Sequence, residues 1–290
     1  MHPKNLHNNP YRFDQLIDIN PDLSKFVFIN DFGTQTIDFS IQEAVLLLNK
    51  ALLKRHYGVT DWEIPPHYLC PAVPGRADYI HYISDLLSEE NLTGTINGLD
   101  IGVGANCIYP ILGTQIYNWK MVGSDIDLNA IASAKNNVSL TKDLSKTIEI
   151  RHQTNNANIF EGVILKDEYF HFTMCNPPFY SSEEEVTKVN LKKLNNLNKD
   201  SVNDNRKQRS LNFAGQANEL WCNGGEALFI KRMIKQSINF KTQVLWFSTL
   251  VSRKENLNKF YKQLDKLKAT HRTIKMDQGN KKSRLLFWKY

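Results

Sequence analysis

The apolar pattern of the chain changes character near residue 93. Before it, apolar positions recur at helical spacing. Ile41, Val45, Leu48, Leu52 and Leu53 predict an amphipathic helix within Phe39 to Tyr57, packed by one face on a core. Tyr11 to Ile17 predicts a shorter helix. Arg76 to Leu87 predicts a third, after a connection punctuated by Pro65, Pro66, Pro71 and Pro74. Beyond Thr93 come short apolar runs bounded by turn residues, which predict strands. These are Thr95 to Ile101, Lys120 to Ser124, Thr147 to His152, Phe170 to Cys175, Thr242 to Val251, Thr270 to Met276 and Arg284 to Trp288. Helices are predicted between them, notably Leu128 to Asn137, Glu219 to Phe240 and Glu255 to Leu267. Strand–helix alternation implies an α/β fold with a mostly parallel sheet and right-handed crossovers. The last two strands are separated only by Asp277 to Ser283, so they should pair as an antiparallel hairpin. The expected organisation is a mainly helical extension over 1–92 and an α/β domain over 93–290.

Composition narrows the class. A chain of 290 residues with 41% hydrophobic content can build one large core with an appendage. No stretch reaches the roughly 18 apolar residues of a spanning helix, and Met1 to Pro10 is polar, unlike a secretory signal. No membrane partner is therefore expected. Cys70, Cys107, Cys175 and Cys222 are scattered without a Cys-x-x-Cys pair, which fits a reducing cytoplasm and buried thiols. The histidines show no ligand spacing near them, so no metal is expected.

The net charge of +6 is unevenly spread. From Val186 onward the chain carries about +16, and the part before it about −10. A solvated face would explain this. So would a phosphate-binding surface for a nucleic acid. The stretch 183–216 is polar, rich in Asn and Lys, and too long for a tight connection, which predicts a mobile basic loop. Lys188, Lys192, Lys193, Lys199, Arg206, Lys207 and Arg209 lie in it.

Two motifs carry chemistry. Asn176-Pro177-Pro178-Phe179 ends the apolar run Phe170 to Cys175. An amide oxygen and a fixed carbonyl can accept hydrogen bonds from an exocyclic amino group, and an aromatic ring can stack on the base that bears it. Adjacent prolines fix φ and donate no N–H, which keeps the carbonyls aimed. An ordinary strand exit would have the same composition. Upstream, Gly98-Leu99-Asp100-Ile101-Gly102-Val103-Gly104 puts glycines, which let a ligand approach the backbone, at the end of a strand. The third glycine of a dinucleotide fingerprint is missing, and no P-loop lysine follows. Asp125 ends the next strand, at an offset suited to ribose hydroxyls. It could equally be a helix N-cap, and so could Asp127.

In this order the motifs resemble a class I (Rossmann-like) S-adenosylmethionine-dependent methyltransferase. His2-Pro3-Lys4-Asn5, Pro74-Gly75-Arg76-Ala77-Asp78-Tyr79-Ile80-His81 and Asp100-Ile101-Gly102-Val103-Gly104-Ala105-Asn106-Cys107-Ile108-Tyr109-Pro110 are similar to the RlmF-type adenine-N6 methyltransferases of large-subunit (23S) ribosomal RNA. The METTL-type small-RNA adenine methyltransferases are their relatives. The likeness spans nearly the whole chain, includes Gly224-Gly225-Glu226 and Phe287-Trp288, and is weakest from Glu183 to Asn218. It implies a mostly parallel seven-stranded sheet with a terminal antiparallel hairpin, and S-adenosyl-L-methionine as cofactor. Asp100, Gly102 and Gly104 would serve the methionine part, Asp125 the ribose, Arg76 the carboxylate and Asn155 the adenine side. Asn176 would border cofactor and acceptor, with Pro177, Pro178 and Phe179 completing the acceptor site. The neighbourhood Gln153 to Asn158 departs from the family's pattern. The implied partner is 23S ribosomal RNA or an assembling ribosomal particle, met by a monomer. Guanine-N2 methylation uses the same tetrapeptide class, and an RNA-binding protein that keeps the fold without turnover is a third reading. His2, Lys4, Asn5 and Arg12 are candidate RNA contacts, with a frayed terminus as the alternative.

Overall fold

The computed structural model describes residues 1–178, 180, 222, 224–278 and 281–290. Phe179 and the basic stretch 183–216 lie outside the described residues. A seven-stranded sheet forms the centre, in the order β5-β4-β3-β6-β7-β9-β8. Its strands are β3 (Asn97–Ile101), β4 (Lys120–Asp125), β5 (Ile148–His152), β6 (Phe170–Cys175), β7 (Val244–Val251), β8 (Thr270–Gln278) and β9 (Lys281–Lys289). Strands β3 to β7 pair in parallel, while β9 runs antiparallel to both β7 and β8. The expected fold class is the observed one.

Helices cover both faces, so the central strands are buried on both sides and read as near-continuous apolar runs. On one face lie α3 (Val73–Ser88), α4 (Ile108–Tyr117) and α5 (Leu128–Leu140), packing Ile80, Ile111 and Ile131 with Met121 and Phe172 of the strands. On the other, α6 (Gly225–Ser237) and α7 (Leu257–Lys266) pack Ile230, Met233 and Phe260 against Leu99 and Phe247. Ahead of the sheet, α1 (Phe13–Ile19), a hairpin of β1 (Val27–Ile29) and β2 (Gln35–Ile37), and one side of α2 (Gln42–Tyr57) enclose a small core of their own around Leu16, Leu23, Leu48 and Leu52.

The structure departs from the sequence reading in several places. The β1–β2 hairpin is not predicted from the sequence, because its strands are three residues long and leave Phe28 and Ile29 exposed, so neither alternates visibly. Both strands of the terminal hairpin run further than expected and pair as far as Gln278 and Lys281. The start, moreover, is not frayed. His2, Asn5 and His7 are buried and grip α3 and α2. Asp78 Oδ1 accepts from the His2 backbone N–H at 2.9 Å and from Asn5 Nδ2, which also donates to Pro74 O. His7 shares a 2.8 Å hydrogen bond with Tyr57, and His2 stacks on His81. Of the candidate RNA contacts, His2 and Asn5 are thus engaged inside the fold, Lys4 pairs with Asp85, and Arg12 pairs with Asp14.

This histidine-rich junction makes stability pH-dependent. Burial, with His56 and His81 nearby, lowers the His7 pKa from 6.5 to about 4. Burial also lowers His81 to about 4, assisted by His2 and Lys4 and opposed by Asp78 and Asp85. The unfolded chain therefore binds more protons than the folded one between about pH 4 and 6.5, so stability falls as pH drops through that window. The melting temperature should fall by roughly 5 °C or more from pH 7 to pH 5. His7→Phe should flatten that dependence in parallel thermal melts; equal slopes would sink the assignment.

Candidate active site

Strand order reverses between β3 and β6. From β3 the chain proceeds to β4 and β5 on one side, then crosses back to β6 and β7 on the other. In open parallel sheets, ligands bind at the carboxyl ends of the strands at such a switch point. Ile101 pairs with Cys175 across the two strands, so Gly102 and Asn176 are the next residues on adjacent strands. Asp125 ends β4 on the other flank of β3. A cleft of about 480 Å³ opens there, walled in part by Arg76, Gly102, Gly104, Asp125, Asn176 and Pro178.

The glycine turn is built for close approach. Gly102 and Gly104 have φ of 76° and 62°, left-handed values that suit glycine. The Gly102 and Val103 N–H groups both donate to Ser124 O, at 2.8 and 2.9 Å, which ties the turn to β4. Carbonyls at its far end are held from outside. Trp62, fully buried, donates through Nε1 to Asn106 O at 2.7 Å, while Ser133 and Asn137 donate to Ala105 O. Trp62 of the preceding segment and Ser133 and Asn137 of α5 thus brace the turn, and Leu69 from the Pro-rich connection joins the cleft wall.

Asp125 is no helix cap. Its Oδ2 accepts from Gly104 N–H at 2.9 Å and its Oδ1 from Asp127 N–H at 3.0 Å, which fixes the carboxylate on the cleft wall. Asp127 caps α5 by accepting from Asn129 N–H, and its other oxygen accepts from Tyr68. Burial raises the Asp125 pKa above the usual carboxylate value, opposed by those backbone N–H bonds. Asp100, within β3 two residues before Gly102, is fully buried and does not line the cleft, with neither carboxyl oxygen hydrogen-bonded among the described residues. Burial pushes its pKa well up, Asp125 adds to the shift, and Arg76 opposes it. Arg76 is buried too, its guanidinium 5.5 Å from the centre of the Tyr109 ring.

Asn176 presents the second orphan. Its Oδ1 is buried and has no hydrogen-bond partner among the described residues. Pro177 is buried beside it, and Phe179 lies outside the described residues. Asn155 is placed less directly. Its Oδ1 accepts from Ala157 N–H at 3.0 Å, shaping the loop, while Asn156, Ala157 and Asn158 line the cleft. The sequence reading missed the contribution of α6, which supplies Phe229 and Arg232 to the wall. Arg232 Nη1 donates to Asn156 O and Gln236 Nε2 to Ala157 O, so α6 also braces this loop. Helical periodicity tells which face of α6 is buried, but not which cleft its edge borders.

The donor set fits S-adenosylmethionine. Half-buried Asp125 and fully buried Asp100, both resisting ionisation, gain from a nearby cation, and the cofactor carries an ammonium and a sulfonium. A buried guanidinium suits its carboxylate. Among the described residues no group of His, Cys, Asp and Glu side chains could hold a metal, and none of their helices is long and apolar enough to cross a membrane.

Comparison with known proteins places the whole chain. It is 59% identical over its full length to the ribosomal RNA large subunit methyltransferase F of Christiangramia forsetii, covering 100% of that protein. It is 48% identical to the protein of the same name from Flavobacterium johnsoniae, covering 93% of it. Among solved structures, the hMettl16 catalytic domain in complex with the MAT2A 3′UTR hairpin 1 superposes with a TM-score of 0.84 at 30% identity, over 100% of this chain and 95% of that one. The N-terminal domain of human METTL16 in complex with SAH gives 0.79 at 27% identity, covering 98% of that chain. A family model described as RNA methyltransferase matches residues 1–290, and with it the chain belongs to that RNA methyltransferase family.

Proposed function

We propose that this chain transfers a methyl group from S-adenosylmethionine to the N6 amino group of one adenine in 23S ribosomal RNA, acting in the cytoplasm as a monomer. The relatives named ribosomal RNA large subunit methyltransferase F support ribosomal RNA as the substrate class. The observation that carries the chemistry is the buried, unpartnered Oδ1 of Asn176, a residue that lines the cleft one position past the strand beside the glycine turn.

An adenine N6 amine is a weak nucleophile, because its lone pair is delocalised into the ring. S-adenosylmethionine supplies a methyl group already activated by its sulfonium. The chain's own residues then need only align and polarise the amine. Asn176 Oδ1 and the Pro177 carbonyl accept its two hydrogens, which draws the nitrogen toward tetrahedral geometry. Phe179 stacks on the base, worth on the order of 1–3 kcal/mol. No general base is assigned, since the positively charged product amine can lose its proton to water. The base reaches the cleft unstacked, from a loop or by flipping out of a helix. The segment 1–92 and the basic stretch 183–216 would meet the RNA around it, through residues other than the buried His2 and Asn5.

Incubation of ribosomal RNA, naked or as assembly particles, with the protein and methyl-labelled cofactor tests this. Nucleoside analysis should return label in N6-methyladenosine alone. Label in N2-methylguanosine would overturn the adenine assignment. Cofactor binding without any transfer would overturn the catalytic one.

A further inference from the structure

The ladder between β6 and β7 has its last pair at Thr173 and Phe247, two residues short of the β6 end. From there side chains meet the backbone of β6. Ser248 Oγ donates to Thr173 O at 2.7 Å. The Cys175 N–H reaches the Tyr79 hydroxyl at 3.5 Å, and that hydroxyl lies 2.9 Å from Ser248 Oγ. Tyr79, Thr173, Cys175 and Ser248 are all buried. A count of hydrogens fixes the directions. Ser248 has one proton and gives it to Thr173 O, so it accepts from Tyr79, whose lone pairs stay available to Cys175 N–H. Asn176 follows Cys175 directly.

Tyr79 sits on α3 one turn after Arg76. Its ring stands edge-on to Tyr109 at 5.5 Å, and the Arg76 guanidinium lies over that same Tyr109 ring. A single turn of α3 therefore supports both the Arg76 end of the cleft and the strand end that bears Asn176. We propose that Tyr79 is a positioning residue for methyl transfer: through Ser248, Thr173 and Cys175 it sets the strand end from which Asn176 meets the acceptor amine. This rests on the reading of Asn176 given above.

Tyr79→Phe removes the hydroxyl and keeps the ring packing, so it separates positioning from bulk. The expected result is a kcat lower by roughly 10- to 100-fold, with KM for RNA and the calorimetric Kd for S-adenosylmethionine within about twofold of the parent. Ser248→Ala should show the same split, and the double variant should lose no more than the worse single one. Ile83→Val, fully buried on the same helix, should keep its kcat and so controls for loosened packing. Parent-like kcat in both Tyr79→Phe and Ser248→Ala, with Asn176→Ala inactive, overturns this proposal alone. So does a kcat loss that Ile83→Val shares. An active Asn176→Ala overturns the reading beneath it.

Discussion

Asn176→Ala will lose methyl transfer by roughly 100- to 1,000-fold or more, while its affinity for S-adenosylmethionine changes only a few-fold. The amide is asked to act on the amine as its nitrogen pyramidalises, so its contribution is made chiefly in the transition state and appears in kcat. Stability gives an independent check. Oδ1 is buried without a hydrogen-bond partner among the described residues, and such an acceptor costs stability. Removing it should therefore leave the melting temperature unchanged or raise it, the pattern of a group kept for function. Single-turnover assays, calorimetry and thermal melts on one preparation decide the matter. Retained turnover would remove Asn176 from its role, and a marked fall in melting temperature would make it structural.

Asp125→Ala should weaken S-adenosylmethionine binding by on the order of 100-fold or more. Two losses combine. The ribose hydroxyls lose the carboxylate that would accept from them. The Gly104 and Asp127 N–H groups also lose their acceptors, so the glycine turn and the start of α5 slacken together. Asp125→Asn keeps one acceptor oxygen and the side-chain shape, so its loss should lie between the two. Calorimetric titration with cofactor reads the series directly. Equal affinity in all three proteins would move the ribose elsewhere.

Most of the fold could be read from the chain because its central strands are short, apolar and bounded by glycine, proline or acid, which period and length reveal together. The cleft could be read in part for a related reason. Gly102, Gly104, Asp125, Asn176 and Pro178 lie at or just past strand ends, so once the strands are placed and parallel, their carboxyl edge gathers these residues. Arg76 came from the resemblance alone, as no local pattern aims a helical arginine. Phe229 and Arg232 stayed hidden because the crossing of α6 over the cleft is a tertiary fact. The polar opening segment misled for the opposite reason. Its residues read as solvent-facing, yet Asp78, Asp85 and Tyr57 supply long-range partners that bury His2, Asn5 and His7.

The grip of the opening residues on α3 has an evolutionary corollary. Asp78 receives hydrogen bonds from positions 2 and 5, and it stands two residues from Arg76 and one from Tyr79. A change at residue 78 alone would take from the buried His2 N–H the acceptor it has there, and from Asn5 Nδ2 one of its two acceptors. Homologues that alter residue 78 should therefore carry a matching change at residue 5, which an alignment of relatives would test.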